Sequence, residues 1–195
     1  SEVAGRSAVL NLIRKVDPTI TKDSPETRKI LDRLKEMEHK GYKYEGAESS
    51  FELIIRKMLG KYKEFFELKD FKVIVSEPAR LGECNSSAMI KVRVGDQEEI
   101  TAAEGIGPVN ALDNAVRKAL SRFYPVINRM KLTDYKVRVL DSESATAAKV
   151  RVLIESTDGS EVWTTIGVST DIIEASWKAL ADSIEYKLGN GHAAE

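Results

Sequence analysis

The sequence predicts an α+β fold. A helical linker subdomain over residues 1–62 precedes a domain over 63–195 built from two βββα repeats, about 65–127 and 130–190, with pseudo-two-fold symmetry. Two observations carry this reading. The hydrophobic period changes from helical to alternating near residue 64, and such a change is the primary signal of altered secondary structure. The pattern strand-strand-strand-helix then occurs twice at a period of about 60 residues, which duplication explains far better than chance.

Taken in order, SAVLNLIRKV (7–16) has the spacing of a short helix, ended by Asp17-Pro18 because proline disfavours the helical region for the residue before it. Ser24, Pro25 and Glu26 then supply a cap, a proline at the first helical position and an acidic first turn. Ile30, Leu31, Leu34 and Met37 recur at helical spacing as far as His39, and Gly41 ends the helix. A third helix is predicted over 47–59, with Phe51, Leu53, Ile54, Ile55 and Met58 on a broad apolar face and Gly60 at the stop.

From FKVIV (71–75) onward apolar residues alternate. Ile90, Val92 and Val94 interleave with Lys91 and Arg93, and a Gly95-Asp96 turn leads to QEEITAA (97–103), a hairpin signal. A helix opens at Gly107-Pro108 and is expected to carry Val109, Leu112, Val116, Ala119, Leu120 and Phe123 on one face until Pro125. The second copy follows the same order: YKVRV (135–139), AKVRVLI (148–154), an Asp158-Gly159 turn, EVWTTIGVS (161–169), and a helix marked by Ile173, Trp177, Leu180, Ile184 and Leu188. KAL at 118–120 matches KAL at 178–180. Each repeat can bury one face of its sheet under its own helix. The other face needs the sister repeat or a second subunit.

Composition narrows the function classes. The 195 residues hold 30 Lys plus Arg against 31 Asp plus Glu, with 42% hydrophobic residues, the profile of a folded chain without the basic excess that nucleic-acid binding requires. No apolar run approaches the roughly 20 residues that span a bilayer, so no membrane role is expected and the cytoplasm is the default compartment. One cysteine and two histidines allow neither an internal disulfide nor a zinc-ligand spacing. The chain opens at Ser1 on sequence that reads like the interior of a protein, and a piece of a longer enzyme or regulator is the expectation.

Candidate catalytic groups are few. His39 and His192 are expected in solvent. Cys84 lies in a polar loop with no neighbouring base to lower its pKa. Glu98 and Glu99 are adjacent on a strand and point to opposite faces, so they cannot share a substrate. EGIGPVNA (104–111) is sharper: two glycines before a helix start allow close backbone approach, and the helix offers unpaired N–H groups to a carboxylate. A tight strand-to-helix turn accounts for it equally well, and Asn110 with Pro108 makes it a weak dinucleotide fingerprint. Tyr135, beside Leu132, Val137 and Val139, fits either a core position or a ligand wall.

TAAEGIGPVNALDNAVRKAL, LTDYKVRVLD, TAAKVRVLIES and WTTIGVSTDIIEASWKALADSIEYKL together resemble the C-terminal regulatory domain of the isopropylmalate, citramalate and homocitrate synthase family. SEVAGRSAVL, GYKYEGAESSF and ELIIRKMLG resemble the linker of its citramalate synthases, so the resemblance covers essentially the whole chain. It implies a non-catalytic part of an acyltransferase whose missing barrel uses a divalent metal and acetyl-CoA, with no cofactor in this part. It also implies a homodimer that binds an amino-acid effector: isoleucine for feedback inhibition of (R)-citramalate formation, or alternatively leucine. A purely structural dimerisation domain is the reading from another class. Carried over by motif, the effector-binding residues are Gly105, Gly107, Val109 and Asn110 of the turn, Leu132, Tyr135 and Val139 of the strand, and Thr146 and Ala147 beyond it. Asn110 departs from the small or acidic residue often found at its place.

Overall fold

A computed structural model describes residues 2–78, 83–141, 143 and 147–192. It contains α1 (Glu2–Val16), α2 (Pro25–His39), α3 (Glu48–Met58), β1 (Glu67–Val75), β2 (Ser86–Val94), β3 (Gln97–Gly105), α4 (Pro108–Ser121), β4 (Lys131–Val139), β5 (Val150–Thr157), β6 (Val162–Ser169) and α5 (Ile172–Lys187). Two three-stranded sheets result, ordered β1-β2-β3 and β4-β5-β6, so the fold is α+β with the strand-strand-strand-helix order repeated. The chain divides into two compact units: residues 1–63 with 132–186, and residues 64–131 with those from 187 on.

In the second of these units β1, β2 and β3 are antiparallel, and Ala88, Ile90 and Val92 of β2 are buried along with Leu112, Ala115, Val116 and Ala119 of α4. Strand alternation sends Ile74 and Ile100 to the other face of the sheet, where they are 64% and 63% exposed. The turn between β2 and β3 has two residues, with Gly95 at φ 58°. Helix α4 stops at Ser121, short of Pro125. Both Phe123 and Tyr124 donate N–H groups to Leu120 O, tightening the last turn before a 3-10 turn at Pro125–Arg129. Buried Asp113 takes the Arg117 guanidinium at 2.8 Å, and Arg117 also donates to Met130 O. Burial raises the Asp113 pKa, with Arg117 opposing.

The other unit joins the linker helices to the second sheet. Val9, Ile13, Ile30, Leu34, Phe51 and Ile55 from the three helices share one cluster with Ile166 of β6, and Leu153 of β5 packs against it. Ser24, expected to cap α2, makes no side-chain cap; its Oγ accepts the Thr21 N–H instead. Glu52 of α3 is 1% exposed and accepts Lys15 Nζ and Arg56 Nη2, each at 2.7 Å, so its charge is paired from two helices.

Residues at alternate positions of β6 serve different neighbours. Trp163 donates its indole N–H to Ser183 O at 3.1 Å, and Thr165 donates to Ala179 O at 2.8 Å, which seats α5 on one face of the sheet. Ile166 enters the linker core on the opposite face. The linker thus takes the role that the sister repeat or a second subunit was expected to play for this sheet. β6 is also an edge strand, and α3 closes that edge: the Ile166 N–H donates to Ser50 Oγ at 2.9 Å and Thr164 Oγ1 to Glu48 Oε2 at 3.1 Å. The Ser50 hydroxyl in turn reaches the Asp182 carboxyl of α5. Asp182 is partly buried as a residue, but its carboxyl end is desolvated. That burial pushes its pKa up to about 6, opposed by the Ser50 bond and the Lys57 charge.

Candidate functional site

The glycine turn of the first repeat is built from both sides. Gly105 ends β3 against the helix it precedes, and a Cβ there would lie 2.3 Å from the Ala111 nitrogen, so no other residue fits. Gly107 follows at φ 87°, the left-handed region glycine tolerates. Two side-chain amides then take the first N–H groups. Asn110 Oδ1 accepts the Ile106 N–H at 3.0 Å and Asn85 Oδ1 accepts the Gly107 N–H at 2.9 Å. Asn114 braces the same turn by donating to Glu104 O at 3.0 Å. Pro108 has no N–H to offer. No side chain caps α4, and among the described residues the N–H groups of Val109 and Asn110 have no side-chain acceptor. Those two donors, at the positive end of the α4 dipole, are what the turn presents to an anion.

The corresponding start in the second repeat is chemically closed. Asp171 Oδ1 accepts the Ile173 N–H at 2.8 Å and the Glu174 N–H at 3.4 Å, while Ser169 Oγ accepts the Asp171 N–H at 3.0 Å. A carboxylate of the chain itself occupies this helix end. Gly167 plays the packing role of Gly105, since a Cβ there would lie 1.9 Å from Ala175 O. The repeats therefore share a glycine-on-helix contact but differ in whether the helix start is open.

The strand residues lie in the other unit, on β4 and just beyond it. Tyr135, Val137 and Val139 share one face of β4 and are 38%, 41% and 51% exposed, while Leu132 is partly buried. Ser176 Oγ spends its proton on Ile172 O at 2.7 Å, so the Tyr135 hydroxyl, 2.8 Å away, is the donor to Ser176 Oγ. Tyr135 is thus anchored and partly exposed, not a sealed core residue. Ala147 is exposed, and Thr146 lies outside the described residues. The structure brings Gly105, Gly107, Val109 and Asn110 together within one turn, and it sets Leu132, Tyr135 and Val139 along one strand.

Asn85 and Asn114 have no counterpart in the sequence reading. Asn114 could have been found by its four-residue spacing from Asn110, which puts both on one face of α4. Asn85, 22 positions from Gly107, gives no local signal. Cys84, next to it, is exposed, as is His39. Glu98 and Glu99 pair separately, with Lys91 at 3.2 Å and Arg122 at 2.7 Å. Among the described residues no group of three His, Cys, Asp or Glu side chains is placed to hold a metal ion, and no helix is long and apolar enough to cross a membrane.

A doubled βββα unit whose two helix starts differ in openness, with an anchored tyrosine on a strand, is the arrangement of an α+β regulatory domain built by duplication. The chain belongs to the LeuA allosteric (dimerisation) domain family, whose model matches residues 45–188. It is 48% identical over 195 residues to an (R)-citramalate synthase of Geobacter sulfurreducens, and 45% identical over 188 residues to one of Aquifex aeolicus. It is 45% identical over 191 residues to one of Synechocystis sp.. These alignments cover 96–100% of this chain but only 35–37% of the relatives, so the chain spans little more than a third of their length.

Proposed function

We propose that this chain is the regulatory and dimerising part of an (R)-citramalate synthase, and that it binds isoleucine as a feedback inhibitor of the condensation of acetyl-CoA with pyruvate. The names of the relatives support the parent activity, and the family's description supports the regulatory and dimerising roles. On this reading the acyl transfer, with its divalent metal and acetyl-CoA, belongs to a part of the enzyme outside this chain.

The observation that carries effector binding is the contrast between the two helix starts. Asp171 closes that of α5, while α4 leaves the N–H groups of Val109 and Asn110 without a side-chain acceptor. The effector carboxylate is assigned to these donors in the turn set by Gly105 and Gly107. Its branched side chain is assigned to Leu132, Tyr135 and Val139, with Thr146 and Ala147. Calorimetric titration with isoleucine, leucine and valine tests this directly. Heat with isoleucine alone is the expected result, preference for leucine moves the assignment to a leucine-sensing relative, and no heat with any of the three removes it.

The second reading, a purely structural dimerisation domain, is favoured by the amides of Asn110 and Asn85, which already hold the Ile106 and Gly107 N–H groups and would stabilise the turn without any ligand. Tyr135→Ala separates the two readings: sensing predicts a weakened effector response in a chain that still dimerises, and equal loss of response and dimerisation favours the structural reading.

A further inference from the structure

We propose that Arg138 of β4 and Arg151 of β5 form an oxyanion site, suited to a phosphate group, on the linker-facing surface of the second sheet. The Leu140 N–H donates to Lys149 O at 2.9 Å, which sets the register of this antiparallel hairpin. Two residues further along, Arg138 stands directly opposite Arg151 on one face. Like charges facing each other across strands destabilise a sheet, and among the described residues no carboxylate offsets them. Neighbouring acids are engaged elsewhere: Asp134 pairs with Lys136 at 3.4 Å and Glu155 accepts Thr133 Oγ1 at 2.8 Å. Among the described residues neither guanidinium has a carboxylate partner.

Arg151 shows a second, independent deficit. Its Nη1 donates to Gly41 O at 3.0 Å, but its Nε is buried with no acceptor. The contact with Gly41 therefore leaves unused the Nε edge of the guanidinium, the edge that grips oxyanions in a bidentate fork. Burial and the nearby Arg138 charge lower the Arg151 pKa, as expected of a cation short of counter-charge. A phosphate dianion matches two guanidinium charges, whereas a single carboxylate leaves one over. Alternation along β4 puts this site on the opposite face from Tyr135, Val137 and Val139, so it does not compete with the residues assigned to the effector.

The test is calorimetry and thermal unfolding of the chain at pH 7.5 with sodium phosphate, against sodium chloride at matched ionic strength. A saturable phosphate effect that chloride lacks is expected. Arg138→Gln should weaken phosphate binding by about tenfold or more, the loss of one charge-assisted fork. Arg138→Glu should abolish phosphate binding and raise the melting temperature without phosphate, because it puts a carboxylate opposite Arg151. Adenosine monophosphate distinguishes the source: equal affinity points to free phosphate, tighter binding to a nucleotide ester. Equal stabilisation by phosphate and chloride, unchanged phosphate affinity in Arg138→Gln, or a lower melting temperature in Arg138→Glu overturns the site.

Discussion

Replacing Asp182 by Asn should make the linker-bearing unit more stable at neutral pH, although the change removes a hydrogen-bonded acid. In the folded chain burial holds the Asp182 pKa at about 6, against an ordinary value of 3.8. Between those pH values the folded state keeps a proton that the unfolded chain has already lost. Stability therefore falls as pH rises through the window from about 4 to about 6, and stays lowered above it. Roughly two pH units at 1.36 kcal/mol each put the loss at about 3 kcal/mol. Asparagine has no proton to lose and can still accept from the Ser50 hydroxyl, so the variant escapes the penalty. It should match the parent near pH 4 and exceed it by up to about 3 kcal/mol at pH 7.5. Denaturant unfolding followed by tryptophan fluorescence reads the right unit, because both tryptophans, Trp163 and Trp177, are buried there. Glu67 and Asp70, whose ion pairs with Lys69 and Lys72 lower their pKa values, lose stabilising charge toward the acid end of the scan. The informative quantity is therefore the difference between variant and parent at each pH. A gap that does not change between pH 4 and pH 7.5, or a variant less stable than the parent at pH 7.5, refutes the assignment of a desolvated carboxylate.

Gly167→Ala forces a methyl group onto Ala175 O, and the required shift of α5 should cost about 3 kcal/mol or more by the same denaturation assay; an alanine variant within about 1 kcal/mol of the parent would falsify the close approach. Glu52→Ala removes a buried carboxylate that pairs with both Lys15 and Arg56 and should cost about 3 kcal/mol, against the 1 kcal/mol or less of a surface pair. Tyr135→Phe removes only the hydroxyl bond to Ser176, so a loss of about 1 kcal/mol is expected, with an unchanged circular dichroism spectrum. A loss several times larger would mean that the ring itself has moved.

Much of the architecture is legible along the chain because the signals are local. The Gly95-Asp96 hairpin, the start at Pro25 and the stop at His39 appear where turn and helix chemistry place them. The boundaries that differ do so for tertiary reasons. β1 begins at Glu67, ahead of the apolar FKVIV run, because its first residues pair with Arg93 and Val92 of β2. Helix α4 stops at Ser121, where the Leu120 carbonyl accepts the N–H groups of both Phe123 and Tyr124 ahead of the turn at Pro125. The candidate site is legible to the same extent. The glycines announce a close strand-to-helix turn, but not that Asn85 would hold it from 22 residues away.

From residue types and spacing alone follow the duplicated βββα order, the helical linker and the near balance of acidic and basic residues, since periodicity, turn chemistry and composition act within a few residues. Only the tertiary structure decided which partners meet. The linker packs on the second sheet and closes its β6 edge through Ser50, 116 residues from Ile166. Asp171 shuts one of two similar helix starts, and a cross-strand pairing sets Arg138 opposite Arg151. Burial, desolvation and the charge balance of a site depend on chain segments far apart in sequence, and no local pattern records them.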